Sequence, residues 1–246
     1  MAEKQKTKSK AVLDPVAAYE LLAPAFARVS EGRRAYLDAV ERLVVETMPA
    51  PAESLLDIGA GDASRSLRIA RAAGIGQTVL LEPSAAMRQA WPAGLTAWEI
   101  RAEQLATRQG RFDAITCLWN TLGHIFPGGA RAETLRQCAR LLAPEGRVFL
   151  DVCHRYNASH YGAWKTAARF VRDRFAACGA TGDVEVQWNT GGGVCRTLGH
   201  VFTAPELLAL FRGAGLRVER RYVVDYANGA VRKWAWQGHL LYALRR

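Results

Sequence analysis

Two carboxylates and a pair of glycines are the residues best placed to do chemistry. Asp57-Ile58-Gly59-Ala60-Gly61 closes the apolar run Ser54-Leu55-Leu56, and Arg65 to Ala73 then has the spacing of an amphipathic helix ending at Gly74. A strand that turns through glycines into a helix N-terminus is a ligand cradle. Its backbone can approach the ligand closely, and the free N–H groups of the first turn point outward. About 20 residues further on, Val79-Leu80-Leu81 ends in Glu82, where a nucleotide site carries a carboxylate to accept from ribose hydroxyls. Pro83-Ser84 then opens a helix bearing Met87. The dinucleotide fingerprint would set a third glycine at position 64, where the chain has Ser64, and it does not require Asp57.

A second group of chemically capable residues lies further along. His124 stands just past an apolar strand pattern, and because imidazole titrates near neutrality it is the candidate general base. His154, Arg155, Tyr156, Asn157, His160 and Tyr161 form a polar and aromatic cluster. Arg155 is the cation of that cluster, and its planar fork suits a carboxylate or other anionic group on a substrate, with Tyr156 beside it at the reacting centre. Cys153, His154 and His160 could be mistaken for metal ligands. They lack a fourth partner and a recognised spacing, so no metal is expected.

These residues need a scaffold, and the chain supplies one in a regular rhythm. Asp14-Pro15 reads as a cap and first helical position, opening helices that run to Met48, with Pro24 expected to divide them and Pro49-Ala50-Pro51 to end them. Strand patterns follow at 54–58, 79–82, 96–100, 112–118 and 147–152, the last after a helix over 130–142 and a Pro144-Glu145-Gly146 turn. Alternation of this kind implies right-handed crossovers and a parallel sheet covered on both faces. Residues 153–200 break the rhythm and contain a hairpin, 184–188 returning as 194–198. Thr203-Ala204-Pro205-Glu206 is a capping box, and 216–226 and 234–244 read as antiparallel strands about an Asn228-Gly229 turn.

With these motifs in place, the chain resembles the class I S-adenosylmethionine-dependent methyltransferases. The acid-x-Gly-x-Gly loop at 57–61, the acid Glu82, and the Pro-Glu-Gly turn before the fifth strand carry the resemblance. It implies an α/β fold: a doubly wound, mostly parallel seven-stranded sheet whose last strand runs antiparallel. It also implies S-adenosylmethionine as cofactor, held by Asp57, Gly59, Ala60, Gly61, Glu82, Pro83 and Met87, with Leu118, Trp119 and Asn120 walling the site. The adenine would lie by Ala102 and Glu103. Arg101 departs from the pattern, since it stands where the family often has an Asp that holds the adenine. On this reading residues 1–10 are a disordered basic tail and 11–246 one domain, in which 11–50 form a helical cap and 153–200 a substrate lid.

Composition narrows the function further. Half of the 246 residues are apolar, no apolar run reaches the ~18 residues of a spanning helix, and the N-terminus lacks a signal-peptide core. The five cysteines are scattered, which suits free thiols in a reducing cytoplasm. The net charge of +10 permits an anionic partner such as nucleic acid, but the arginines are spread along the chain. A small-molecule N- or O-methyltransferase, its substrate bearing an anionic group, fits best. The alternatives are an RNA methyltransferase and a non-catalytic cofactor-binding protein. Against the RNA reading, Leu118-Trp119-Asn120-Thr121 is not the Asn-Pro-Pro-Tyr type of motif found in base-amine methylases.

Overall fold

The structure, a computed structural model, describes residues 11–175, 182–190 and 192–246. The lysine-rich residues 1–10, and with them the expected basic tail, lie outside the described residues, as do Cys178 and Gly191. A two-residue strand β1 (Val12–Leu13) precedes helix α1 (Pro15–Glu31), which Asp14 caps by accepting from the Val16 N–H. The helix runs straight through Pro24 and ends only at Gly32. Pro24 faces solvent between the buried Leu22 and Ala25, so water can satisfy the carbonyl left without its helical bond, and packing holds the turn together. Helix α2 (Arg34–Thr47) buries Tyr36, Leu37, Val40, Leu43 and Val44 along one stripe.

Then the alternation begins: β2 (Ser54–Ile58), α3 (Ser64–Ala73), β3 (Gln77–Leu81), α4 (Ala85–Arg88), β4 (Thr96–Trp98) and a 3-10 helix over Ala102–Thr107. Next come β5 (Phe112–Cys117), a 3-10 turn over Thr121–His124, α5 (Gly128–Leu141) and β6 (Leu142–Val152). After β6 the insertion holds α6 (Ala158–Tyr161), α7 (Ala163–Phe175), β7 (Asp183–Asn189) and β8 (Val194–His200). The chain finishes with α8 (Ala204–Gly213), β9 (Arg217–Val224), β10 (Val231–Arg232) and β11 (His239–Arg245).

The main sheet has the order β10-β9-β11-β6-β5-β2-β3-β4. From β4 to β6 every pairing is parallel, and β11 runs antiparallel between β6 and β9. The sheet is thus the expected one with a two-residue eighth strand, β10, on its edge. Two bounds shift. Trp234 lies outside the last strand, because Ala235–Gln237 form a 3-10 turn before it, and β6 starts before the Pro144 turn because Leu142 already pairs with Phe112.

Strand side chains alternate between two cores, as a sheet covered on both sides requires. Leu56, Ile115, Leu150 and Tyr242 pack with Leu135, Leu207 and Phe211 of α5 and α8 on one face. Leu55, Ala114, Phe149 and Leu241 pack with α2 and α3 on the other. A small second sheet, β1-β8-β7, joins the insertion's hairpin to the chain's start, with β1 parallel to β8. The ends of β2, β3 and β5 therefore open under α1.

Candidate active site

The glycine turn is built in left-handed backbone, which glycine adopts without the strain a side chain adds. Gly59 and Gly61 have φ of +74° and +57°, and a Cβ on Gly59 would sit 2.5 Å from the Thr121 methyl. Asp57 lies beneath the turn, almost fully buried, and accepts from the hydroxyls of Ser66 and Thr116, the latter at 2.6 Å. It ties the loop to α3 and β5 and does not line the cavity. Burial raises its pKa, against the nearby Arg65 and the two hydroxyls. Glu82 sits opposite, with one carboxylate oxygen accepting from the Gly61 N–H and the other from the Ser84 N–H, each at 2.9 Å. Burial pushes this carboxyl up to about 7.

A cavity of ≈ 280 Å³ runs over these groups. Its floor is Gly59, Ala60 and Gly61, and Glu82 and Pro83 form one side. Ala102 and Glu103 stand with Arg101 on its wall, as do Leu118, Trp119, Thr121 and His124, while Val16, Tyr19 and Phe26 of α1 supply its roof. Two contacts pin that roof. Arg101 donates to both oxygens of Asp14, at 3.0 and 2.7 Å, and Glu20 accepts from the Ala85 and Ala86 N–H groups. Arg101, which stands where an adenine-holding acid was expected, is thus a clasp on the N-terminal helix.

Of the other expected cofactor residues, Met87 is buried outside the cavity lining. Asn120 is buried as well and spends its amide on the scaffold, donating to the His200 carbonyl and accepting from the Cys153 N–H. Trp119 and Asn120 both adopt left-handed backbone, with φ of +54° and +62°. Such a pair of non-glycine residues costs of order 1–3 kcal/mol each and persists where surrounding contacts over-determine it. Here Asp151 does so. Its carboxylate accepts from the Trp119 N–H at 3.0 Å and from the Tyr36 hydroxyl at 2.5 Å, and burial raises its pKa to about 6.

His124 lines the cavity from the 3-10 turn after β5. Its Nδ1 lies 3.0 Å from the Leu198 carbonyl of β8. A carbonyl only accepts, so Nδ1 carries the proton and Nε2 keeps its lone pair. Burial lowers the imidazole pKa below its ordinary value. A chain of rings continues from it: Tyr19 edge-on to His124 at 5.6 Å, Trp188 at 6.4 Å from Tyr19, Trp119 at 6.5 Å from Trp188, and Phe26 at 5.7 Å from Trp119.

Arg155 and Tyr156 are elsewhere, which corrects the expectation that they meet a substrate. The Arg155 guanidinium donates to both oxygens of Asp173 on α7, at 2.5 and 2.8 Å, and the Tyr156 hydroxyl donates to the same carboxylate at 3.0 Å. The Arg155 side chain is only 3% exposed, and neither residue lines the cavity. A buried guanidinium must be paired, and the nearest carboxylate is in its own insertion. Among the described residues, no other residue of 153–200 lines the cavity either. The hairpin packs against α1 and the His124 turn from outside, so the roof over the crevice is α1.

Sequence reasoning missed Tyr19 and Phe26 as site residues, although their i, i+7 spacing places them on one face of α1. It also missed Arg65, which lines the cavity with a buried Nε that has no partner. Arg34, Arg68 and Arg101 on the same wall are all paired with carboxylates, whereas Arg65 has no acid partner among the described residues.

Residues 28–220 match the family model described as "Methyltransferase domain". The chain belongs to the S-adenosylmethionine-dependent methyltransferases. A curated relative, the ubiquinone biosynthesis O-methyltransferase of Ralstonia nicotianae, is 34% identical over 134 residues, covering 52% of this chain and 54% of the relative. The chain thus matches only about half the length of that relative. Among solved structures, the CcbJ methyltransferase from Streptomyces caelestis superposes with a TM-score of 0.63 at 17% identity, covering 85% of this chain and 89% of that one. The sugar N-methyltransferase KedS8 from Streptoalloteichus sp. gives 0.58 at 18% identity, with 100% and 99% covered. At these identities the structural likeness carries the fold alone.

This methyltransferase presents groups that fit S-adenosylmethionine. The Gly59 and Gly61 positions leave a cradle that a Cβ would obstruct, and Glu82 offers a carboxylate to a ribose. Arg65 brings a guanidinium whose buried Nε has no hydrogen-bond partner among the described residues, suited to the methionine carboxylate. No helix among the described residues is long and apolar enough to cross a membrane.

Proposed function

We propose that this methyltransferase transfers a methyl group to an oxygen or nitrogen of a small molecule, with His124 as the general base. When bound, S-adenosylmethionine supplies a methyl group already activated by its sulfonium. Gly59, Ala60 and Gly61 would hold it and Glu82 would take its ribose. Glu103 and Ala102 would border the adenine, and Leu118 and Trp119 would wall the reacting end. The roof made by Tyr19 and Phe26 excludes water from that end, where a positioned nucleophile is worth most. His124 would accept the nucleophile's proton on Nε2, the methyl passing from sulfur to the nucleophile and S-adenosylhomocysteine being the leaving group.

The observation that carries this reading is His124 on the cavity wall with its Nδ1 committed to the Leu198 carbonyl. That bond fixes the tautomer in which the other ring nitrogen is the base. The names of the relatives support a small acceptor: an O-methyltransferase of ubiquinone biosynthesis and a sugar N-methyltransferase. A cavity roofed by a helix also suits a small molecule better than a polynucleotide, despite the net charge of +10. With Arg155 spent on Asp173, the expected anionic group on the substrate loses the residue that was to recognise it.

The test pairs labelled S-adenosylmethionine with a cell extract, wild type against His124→Ala. Label should enter the small-molecule fraction. The variant should lose about 10²- to 10⁴-fold in turnover, while calorimetry shows unchanged affinity for S-adenosylhomocysteine. Label entering RNA instead, or normal turnover by the variant, would remove the proposal.

A further inference from the structure

Helix α7 is an amphipathic helix turned inside out. Of its thirteen residues only Thr166 is buried. Thr166, Arg169 and Asp173 share the inward side, where Arg169 donates to the Arg155 carbonyl and Asp173 receives Arg155. At helical spacing, Trp164, Ala168, Val171 and Phe175 then form a stripe on the outward side. Trp164 is 89% exposed and Phe175 83%. Lys165 and Arg172 flank this stripe on one edge and Arg174 on the other. The only carboxylate on α6 or α7 is Asp173, and it points inward and is already paired.

We infer that α7 docks this methyltransferase on an anionic lipid surface. An apolar centre with cations along both rims has the layering of a bilayer interface, where acyl chains lie beneath a sheet of headgroup phosphates. A second copy of the chain fits badly, because a twofold contact through the stripe would set Lys165, Arg172 and Arg174 against their own equivalents with no acid to receive them. RNA fits less well too, since its phosphates call for charge at the centre of the contact rather than at its rim. A second exposed aromatic group lies nearby. Trp234 and Trp236 stack at 5.2 Å, both about half exposed, with Lys233 over Trp234. Their turn is tied to α7 through the His154 bond to the Ala235 carbonyl and the ring contacts from His154 to Tyr156 and on to Phe170. Aromatic rings with neighbouring lysine and arginine are the side chains that settle at a membrane–water interface.

The test is co-sedimentation of the full chain with vesicles of phosphatidylcholine alone or of phosphatidylcholine with a quarter phosphatidylglycerol. Two variants accompany the wild type: Trp164→Ser/Val171→Ser/Phe175→Ser, and Lys165→Glu/Arg172→Glu/Arg174→Glu. All six positions face solvent, and S-adenosylhomocysteine binding checks that each variant is folded. The wild type should pellet with the anionic vesicles and not with the neutral ones. The charge variant should bind them at least about a hundredfold more weakly, since loss of three cations near the surface gives that much and the new carboxylates add repulsion, and the serine variant should stay in solution. Failure of the wild type to pellet would overturn the inference, as would variants that pellet like wild type. So would a wild-type dimer in size-exclusion chromatography that the serine variant abolishes, or RNA retention that the same variant abolishes while vesicles are ignored.

Discussion

Replacing Arg155 by alanine should loosen α7 and leave the cofactor site untouched. Arg155 and Tyr156 hold the Asp173 carboxyl down to about 2 from an ordinary 3.8, chiefly through the Arg155 hydrogen bonds and against a smaller cost of burial. At 1.36 kcal/mol for each tenfold, that difference is linked to at most about 2.5 kcal/mol of stability at neutral pH, and to less once solvent screening is counted. Removing one partner of a buried pair can cost about 3–5 kcal/mol. The lower figure is the better guide here, because Asp173 keeps some contact with solvent and Arg172 lies 3.5 Å away to replace part of the charge. Since α7 buries only Thr166, what else resists its release is polar and ring contact at its inner side, from Arg169 to the Arg155 carbonyl and from Phe170 to Tyr156. Amide exchange across 163–175 should therefore accelerate by roughly 10- to 70-fold in Arg155→Ala. Exchange in β2 and β5, and calorimetric affinity for S-adenosylhomocysteine, should stay as in wild type. Arg155→Lys should recover part of the protection, because one ammonium cannot make the two-pronged contact. The wild-type contribution is complete above about pH 4 and disappears as the pH falls through about 2, because the lowered carboxyl belongs to the folded state. Unchanged exchange in α7, together with a raised Michaelis constant for the methyl acceptor, would refute the reasoning and return Arg155 to the substrate.

Other expectations concern the cavity. The Glu82 carboxyl, raised by burial to about 7, accepts from ribose hydroxyls at full strength only when ionised, so affinity for S-adenosylhomocysteine should fall as the pH drops below about 7. Glu82→Gln should bind with a flat profile in calorimetry. The same raised carboxyl makes the ligand-free protein less stable as the pH climbs from about 4.5 to about 7, since the folded state holds that proton longer, and denaturation at several pH values measures it. Arg65→Ala should weaken S-adenosylhomocysteine at least about tenfold and leave 5′-methylthioadenosine, which lacks the amino-acid end, unchanged. Equal losses for both would remove Arg65 from the carboxylate. Gly59→Val places a Cβ against Thr121 in a backbone conformation that valine avoids, so binding of either ligand should vanish, and a folded variant with wild-type affinity would contradict the turn geometry.

The sequence by itself determined the alternation of strands and helices, the glycine turn with its acids at 57 and 82, and the antiparallel end of the sheet. These are written in local pattern: period-two apolar runs, glycine where φ must be positive, caps and turn residues. Tertiary structure alone decided which polar side chains are free to act. Arg155 and Asn120 looked available in the sequence and are spent on Asp173 and on the His200 carbonyl. Arg65 looked like one more surface arginine of a helix and is the cavity cation without an acid partner among the described residues. The same holds for the roof. Nothing local tells Tyr19 and Phe26 that they will cover the crevice. Their placement depends on Asp14 meeting Arg101, 87 residues away, and on β1 adding itself to the hairpin of the insertion. Pairing between distant residues is set by the fold's closure, and a charged group's freedom is whatever that closure leaves unpaired.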